Sequence, residues 1–161
     1  TLQQGGDVWV AEAGQSNFSA DLVRAIHREF PEIDTKRRFH IVQHSEWNQD
    51  VTAPEDLAYV RDHTDYQKIA NGNATGNRTP GFKTDKAEHW QKVLKDKRTG
   101  HLWKIAKDIA DKYNAADGRY NNTAIAVGGI DFSDTSETCW IFGYDKIKDV
   151  AEFFDTFGSE K

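Results

Sequence analysis

One apolar run in this chain is boxed in so tightly that it leaves little choice of local structure. Phe39, Ile41 and Val42 follow directly on the basic cluster Lys36-Arg37-Arg38 and give way at once to His44-Ser45-Glu46-Trp47-Asn48. A run this short, closed by charge before it and by polar and aromatic loop residues after it, suits a buried parallel strand better than a helix. The preceding residues supply its partner. Asp7 to Ala13 alternates, with Val8 and Val10 on one face and Trp9 on the other, and reads as a strand broken by Gly14. Gln15-Ser16-Asn17 then leads into a helix from about Ser19 to Phe30, stopped by Pro31, with Leu22, Ala25, Ile26 and Phe30 as its buried stripe and Val23 beside them. Strand, helix and strand in that order form a βαβ unit with parallel strands and a right-handed crossover.

The remaining chain extends the pattern. Thr52-Ala53-Pro54-Glu55 combines a capping box with a proline in the first turn, opening a helix to about His63 that buries Leu57, Tyr59 and Val60. Tyr66 to Ile69 reads as a third parallel strand, and Ala70 to Lys83 as loop. Lys86 to Leu94 and His101 to Tyr113 are amphipathic, the second turning Leu102, Trp103, Ile105 and Ile109 toward a core. Asn114 to Asn122 is turn-rich, and Thr123 to Val127 is a candidate fourth strand ending in Gly128-Gly129. Asp134-Thr135-Ser136-Glu137 is a second capping box, for a helix through Phe142, and Ile147 to Phe157 is a last helix with Val150, Phe153 and Phe154 inward. The expected fold is a three-layer α/β domain with a short, mostly parallel sheet flanked by helices. No repeat, low-complexity tract or linker divides residues 1–161, which read as a single domain.

Composition narrows the class. With 161 residues the chain is long enough to bury a sizeable core, and its net charge of −5 with 29% charged residues describes a soluble, mildly acidic protein. That balance argues against broad nucleic-acid binding, and no apolar run reaches membrane-spanning length. The single cysteine, Cys139, excludes an internal disulfide and, lying in an expected helix with no adjacent histidine, reads as core. The chain contains no methionine, which is compatible with a processed product or a piece of something longer.

In an open α/β sheet, ligands collect beyond the carboxyl ends of the strands. There this sequence concentrates Glu12, Gln15, Ser16 and Asn17 after the first strand, and His44, Glu46, Trp47 and Asn48 after the second. Asn71, Asn73 and Asn77 follow the third strand, and Asp131, Ser133 and Asp134 the fourth. Carboxamides and hydroxyls beside an aromatic wall match a polyhydroxylated ligand, because each ligand hydroxyl both donates and accepts. The same asparagines also suit turns, where they tolerate left-handed backbone. His44 is the natural acid or base near neutral pH, or else a structural hydrogen-bonder. Glu12, Asp131 and Asp134 are candidates for holding a hard cation such as Ca²⁺, although Asp134 alone also suits a helix cap.

With these residues in place, a family resemblance emerges. Asp7 to Ala20, then Pro31-Glu32-Ile33, the basic cluster and Phe39 to Ser45 resemble the middle of nucleoside hydrolases. Gly76-Asn77-Arg78-Thr79-Pro80 is similar to that family's Gly-Asn-x-Thr-Pro loop, whose asparagine contacts ribose. Asp131 to Phe142 resembles the sugar-hydrolase-like branch of the same superfamily. The resemblance implies N-glycosidic chemistry with calcium-activated water, Asn73 and Asn77 on sugar hydroxyls, and Asn17 beside the calcium loop. On that reading His44 and Asp131 are catalytic. Gln15, Ser16, Asn17, Trp47, Asn48, Asn71, Asn73 and Asn77 bind ligand, and Glu12, Asn17 and Asp134 hold the metal. The family's N-terminal aspartate cluster is not found in Thr1 to Ala11, and Gly81-Phe82-Lys83 stands where its next sugar-binding residues would be. The implied calcium site is therefore completed by another chain or segment, or the fold is kept without the chemistry. Two other readings stand beside it: a non-catalytic carbohydrate-binding module, and a subunit of a homo-oligomer or of an assembly with a second chain, whose contact area comes from the five tryptophans.

Overall fold

The computed structural model describes residues 1–72, 83–84, 87–113, 130–131, 133–147 and 150–157, with side chains for all of these except 83–84, 87–89, 130–131 and 150. Two compact units emerge, one formed by Thr1–Asn71 with Asp134–Asp145 and the other by Gly72–Ser133 with Lys146–Lys161. The first unit runs β1 (Val8–Ala11), α1 (Asn17–Glu29), α2 (Thr35–Arg38), β2 (Phe39–His44), α3 (Glu46–Asp50), α4 (Pro54–His63) and β3 (Asp65–Ile69). The second holds β4 (Lys83–Thr84), α5 (Ala87–Leu94), α6 (Gly100–Tyr113) and β5 (Ile130–Asp131), and after α7 (Thr135–Ile141) of the first unit it closes with α8 (Val150–Phe157).

The three strands of the first unit form a wholly parallel sheet in the order β1-β2-β3, so the α/β class read from the sequence is the one observed. Its register sets Val10 beside Ile41 and Ile41 beside Tyr66. Residues in register share a face. On the face of Val8, Val10, Phe39 and Ile41 pack Ala20 and Val23 of α1 and Val60 of α4. On the other face, Trp9 stacks on His40 at 4.1 Å and meets Trp140 of α7 at 6.3 Å. The unit is thus helices, sheet and helix in three layers.

Several local expectations are corrected. The buried stripe of α1 is Ser19, Ala20 and Val23 with Ile26 beside them, while Leu22 lies outside it. The small side chains of Ser19 and Ala20 let the helix lie close on the sheet. The basic cluster before β2 forms the short helix α2, and its charges serve backbone carbonyls. Lys36 Nζ donates to Arg61 and Thr64 at 2.6 and 2.9 Å, near the end of α4, and Arg38 donates to Leu2 at 2.9 Å. Residues 46–50, expected as loop, are helical because Ser45 caps them, its Oγ accepting the Trp47 amide at 3.2 Å. Neither capping box forms as written. Ala53 is the N-cap of α4 without a side-chain bond, and Thr52 Oγ1 instead donates to Asn48 O at 2.6 Å and accepts the Ser16 amide at 3.1 Å. Asp134 heads α7 without a side-chain cap bond.

In the second unit α5 packs on α6 and α8. Trp90, Val93, Ala110, Phe153 and Phe154 are buried, and Trp103 sits edge-on to Trp90 and Phe154 at 6.2 and 5.4 Å. Leu102, Ile105 and Ile109, expected in the core, are instead exposed. The antiparallel pair β4–β5 sets Lys83 opposite Asp131, so Lys83 is strand, not loop. The expected strand Thr123 to Val127 lies outside the described residues, as does the start of the last helix at residues 148–149. Among the described residues no helix is long and apolar enough to cross a membrane.

The α5–α6 turn is held by Asp96, whose Oδ1 accepts the Arg98 and Thr99 amides, both at 2.8 Å. Next to it, a Cβ on Gly100 would stand 2.7 Å from the Leu94 carbonyl oxygen, and that oxygen is backbone and cannot turn aside. Helix propensity alone would favour Gly100→Ala by about 1 kcal/mol. The overlap should win, with Gly100→Ala lowering stability by about 1–3 kcal/mol in a denaturant titration. A stabilised variant would show that the helices separate freely at this turn.

Candidate functional site

The carboxyl end of β2 gathers polar side chains on both faces of the sheet. Alternation along the strand sends Gln43 to the α1 side and His44 to the α7 side. Gln43 is fully buried, and every polar atom of its amide is used. Nε2 donates to Gly14 O at 2.5 Å and to Ser16 Oγ at 3.0 Å, and Oε1 accepts from the Tyr66 hydroxyl. That amide pins the β1–α1 loop over the strand end. Glu12 is buried on the same side, beside the Ser16 and Ser19 hydroxyls, and burial pushes its carboxyl above the ordinary range. Its Oε2 has no hydrogen-bond partner.

On the opposite face, His44 is only 3% exposed. Its Nδ1 lies 3.1 Å from Ser136 Oγ, and Ser136 lies 3.1 Å from Glu137 Oε2. Nε2 stands 3.6 Å from Asp134 Oδ1, whose side chain is 53% exposed. With Nδ1 protonated toward Ser136, Nε2 becomes the basic nitrogen and faces the Asp134 carboxylate. Glu137 is fully buried, and its Oε1 accepts the His44 backbone amide at 2.7 Å. Burial raises its carboxyl to about 7 against the pull of those hydrogen bonds. Cys139, buried as expected, is pushed up to about 11 by burial and by the Glu137 charge, which leaves it an unreactive thiol.

Ser45, between β2 and α3, takes φ 72°, a conformation L side chains rarely adopt. The sharp turn swings Trp47 outward, 63% exposed, and Asn48 inward, where Nδ2 donates to His44 O at 3.1 Å. Backbone strain of this kind clusters at functional sites.

The residues read from the sequence are dispersed more than expected. His44 and Asp134 meet, and Ser16, Asn48 and Trp47 lie at the same sheet edge. Gln15 is exposed and Asn71 half-buried, while Asn73 and Asn77 lie outside the described residues. Asp131 stands in β5, in the second unit. The expected metal set is not brought together. Asn17 Nδ2 donates to Asp56 at 2.8 Å, Glu12 sits with Ser16 and Ser19, and Asp134 is beside His44. Among the described residues the grouping with metal-ligand spacing is His44, Asp134 and Glu137, with one ligand atom from each within 4.8 Å of the others. It does not fit calcium, which takes oxygen ligands, because one donor is an imidazole and both Glu137 oxygens already accept hydrogen bonds.

Sequence reasoning missed Gln43, Ser136 and Glu137. A carboxamide inside the apolar run of β2 was the signal for the first, whereas Ser136 and Glu137 were absorbed into an apparent capping box. Comparison of the chain with protein-family models, with curated proteins and with solved structures finds no match.

A carboxyl that titrates near 7 when folded and near 4.5 when unfolded binds its proton more tightly in the native state. Stability should therefore fall as pH rises from about 4.5 to about 7, by up to about 3 kcal/mol from Glu137. Glu12, also raised, contributes a slope of the same sign. Glu137→Gln keeps an acceptor for the His44 amide and should flatten that dependence without unfolding the chain. Urea titrations at several pH values, with slopes equal in both proteins, would contradict the assignment.

Proposed function

We propose that the carboxyl edge of the β1-β2-β3 sheet binds a sugar-bearing small molecule and that His44 transfers a proton in cleaving its N-glycosidic bond. The observation that carries this reading is the placement of His44. It ends the central strand with Nδ1 fixed on Ser136 and Nε2 on the side of the exposed Asp134. An imidazole with one nitrogen held by a hydroxyl and the other beside a carboxylate can carry a proton and pass it on, which is what a general acid needs. The resemblance to nucleoside hydrolases points to the same substrate class.

In this reading Asp134 would stabilise His44 in its doubly protonated form, and Nε2–H would protonate the leaving nitrogen as the glycosidic bond breaks, leaving a neutral imidazole, while a water molecule adds to the anomeric carbon and releases the proton that restores the acid. Trp47 would lie against the apolar face of the sugar ring, with the polar groups of the edge meeting its hydroxyls. No step is assigned to calcium, since the described donors do not fit it. A second reading, binding without hydrolysis, is favoured by the commitment of the Asn17 amide to Asp56.

Calorimetric titration with ribose and with a nucleoside, each with and without Ca²⁺, followed by a hydrolysis assay, separates the two. Hydrolysis that falls about 10²–10⁴-fold in His44→Gln, with ligand affinity kept, is the expected outcome. Binding with no hydrolysis in the wild type would leave the non-catalytic module. Absence of heat with every ligand would sink both.

A further inference from the structure

The side chains around His44 are spaced as ligands of a metal ion. His44 Nε2 and Asp134 Oδ1 stand 3.6 Å apart, which is too long for a hydrogen bond. It is close to the roughly 3.3 Å that separates two donors of one tetrahedral ion bound at about 2.0–2.1 Å. His44 Nδ1 and Glu137 Oε1 are 4.0 Å apart, and one ligand atom from each of the three side chains lies within 4.8 Å of the other two. An ion entering the cluster has to draw its donors together by up to about 1.5 Å. Asp134, half-exposed at the head of α7, has room for that movement.

The other two ligands are oriented in advance. His44 Nδ1–H donates to Ser136 Oγ, and the Ser136 hydroxyl donates to Glu137 Oε2, both at 3.1 Å. That relay fixes the histidine tautomer and turns the Nε2 lone pair toward Asp134. Glu137 Oε1 is steadied by the His44 amide at 2.7 Å. Each carboxylate oxygen that accepts one hydrogen bond keeps a second lone pair for a metal. Hydrogen bonds of this kind, to the far nitrogen of a histidine and to a carboxylate, are the outer partners that hold metal ligands in place. The imidazole that counts against calcium is a preferred ligand of zinc and its first-row neighbours, and carboxylates serve beside it. All three residues belong to the first unit, so the cluster is complete within it.

We propose that His44, Asp134 and Glu137 bind one divalent first-row transition-metal ion of the zinc class, through Nε2 and one oxygen of each carboxylate. Three protein ligands leave a fourth position to water. This site goes beyond the sugar reading of the sheet edge and does not rest on it. An ion on Nε2 takes the place of the proton there, so the metal-bound and acid-competent forms of His44 exclude each other.

Calorimetric titration of the full chain with Zn²⁺ tests it, after treatment with a chelator and in slightly alkaline buffer, where the ligands are deprotonated. No substrate is present, so the result stands apart from that of the hydrolysis assay. Saturable binding and a higher melting temperature in the presence of Zn²⁺ are expected. Asp134→Asn and His44→Gln should each weaken that binding by about tenfold or more and remove the rise in melting temperature. Asp134→Asn alters a half-exposed side chain that makes no cap bond to α7, so it keeps the test valid even if His44→Gln fails to fold. His101→Gln, on α6 of the other unit, should change neither quantity. Absence of heat with Zn²⁺, or binding that Asp134→Asn leaves at wild-type strength, would overturn the proposal. So would binding that is lost in His101→Gln.

Discussion

The central strand outlasts its neighbour, and a buried carboxylate makes up the difference. In a parallel pair, alternate residues of one strand face the same partner. Val42 accepts the Glu12 amide at 2.9 Å, so the His44 amide, two residues on, points the same way. β1 has by then turned off, with Gly14 donating to the Glu12 carbonyl at 3.1 Å. Without Glu137 the His44 amide would be buried and unsatisfied, at a cost of about 1–3 kcal/mol. Glu137 reaches it from 93 residues away, and in doing so brings α7, Ser136 and Asp134 to the strand end. Ser136, brought there with Glu137, then meets Nδ1 and orients the His44 ring.

A second set of hydrogen bonds fixes the edge from the other side. Gln43 holds the Gly14–Ser16 turn, the Ser16 amide meets Thr52, Thr52 donates to Asn48, and Asn48 donates to the His44 carbonyl. These side chains come from loops and helix ends that share no local pattern. They are nevertheless satisfied one by one, which a polar network must be if it is not to destabilise a buried site. The edge is therefore preorganised around His44 rather than assembled on demand.

The scaffold was legible where the pattern was local and apolar. Phe39 to His44, bounded by charge, read as a buried parallel strand, and Pro31 and Pro54 marked a helix end and a helix start. The parallel direction followed from the strand-helix-strand succession, whereas the order β1-β2-β3 did not. What escaped was settled by distant partners. Thr52-x-x-Glu55 and Asp134-x-x-Glu137 both read as capping boxes, yet Thr52 serves Ser16 and Asn48, and Glu137 serves β2. A hydroxyl or carboxylate three residues from another obeys whichever donor lies nearest in space. The stripe of α6 failed for a related reason, since its periodicity identified an apolar face without saying whether the helix turns it inward, and Leu102, Ile105 and Ile109 are exposed. At the candidate site, His44 and Asp134 were readable as residue types, whereas their union depended on Glu137.

The bond between Glu137 and His44 also sets an order of events during synthesis. Residues 1–71 contain all three strands and the helices that cross over between them, and they leave the ribosome well before α7. At about 5–20 residues per second, the 93 residues between donor and acceptor take about 5–20 s to make. For that interval the nascent βαβ core has an open strand end and a histidine without its anchor. The candidate site is the last part of its unit to be completed, so a chain released early would keep the core strands and lack the site.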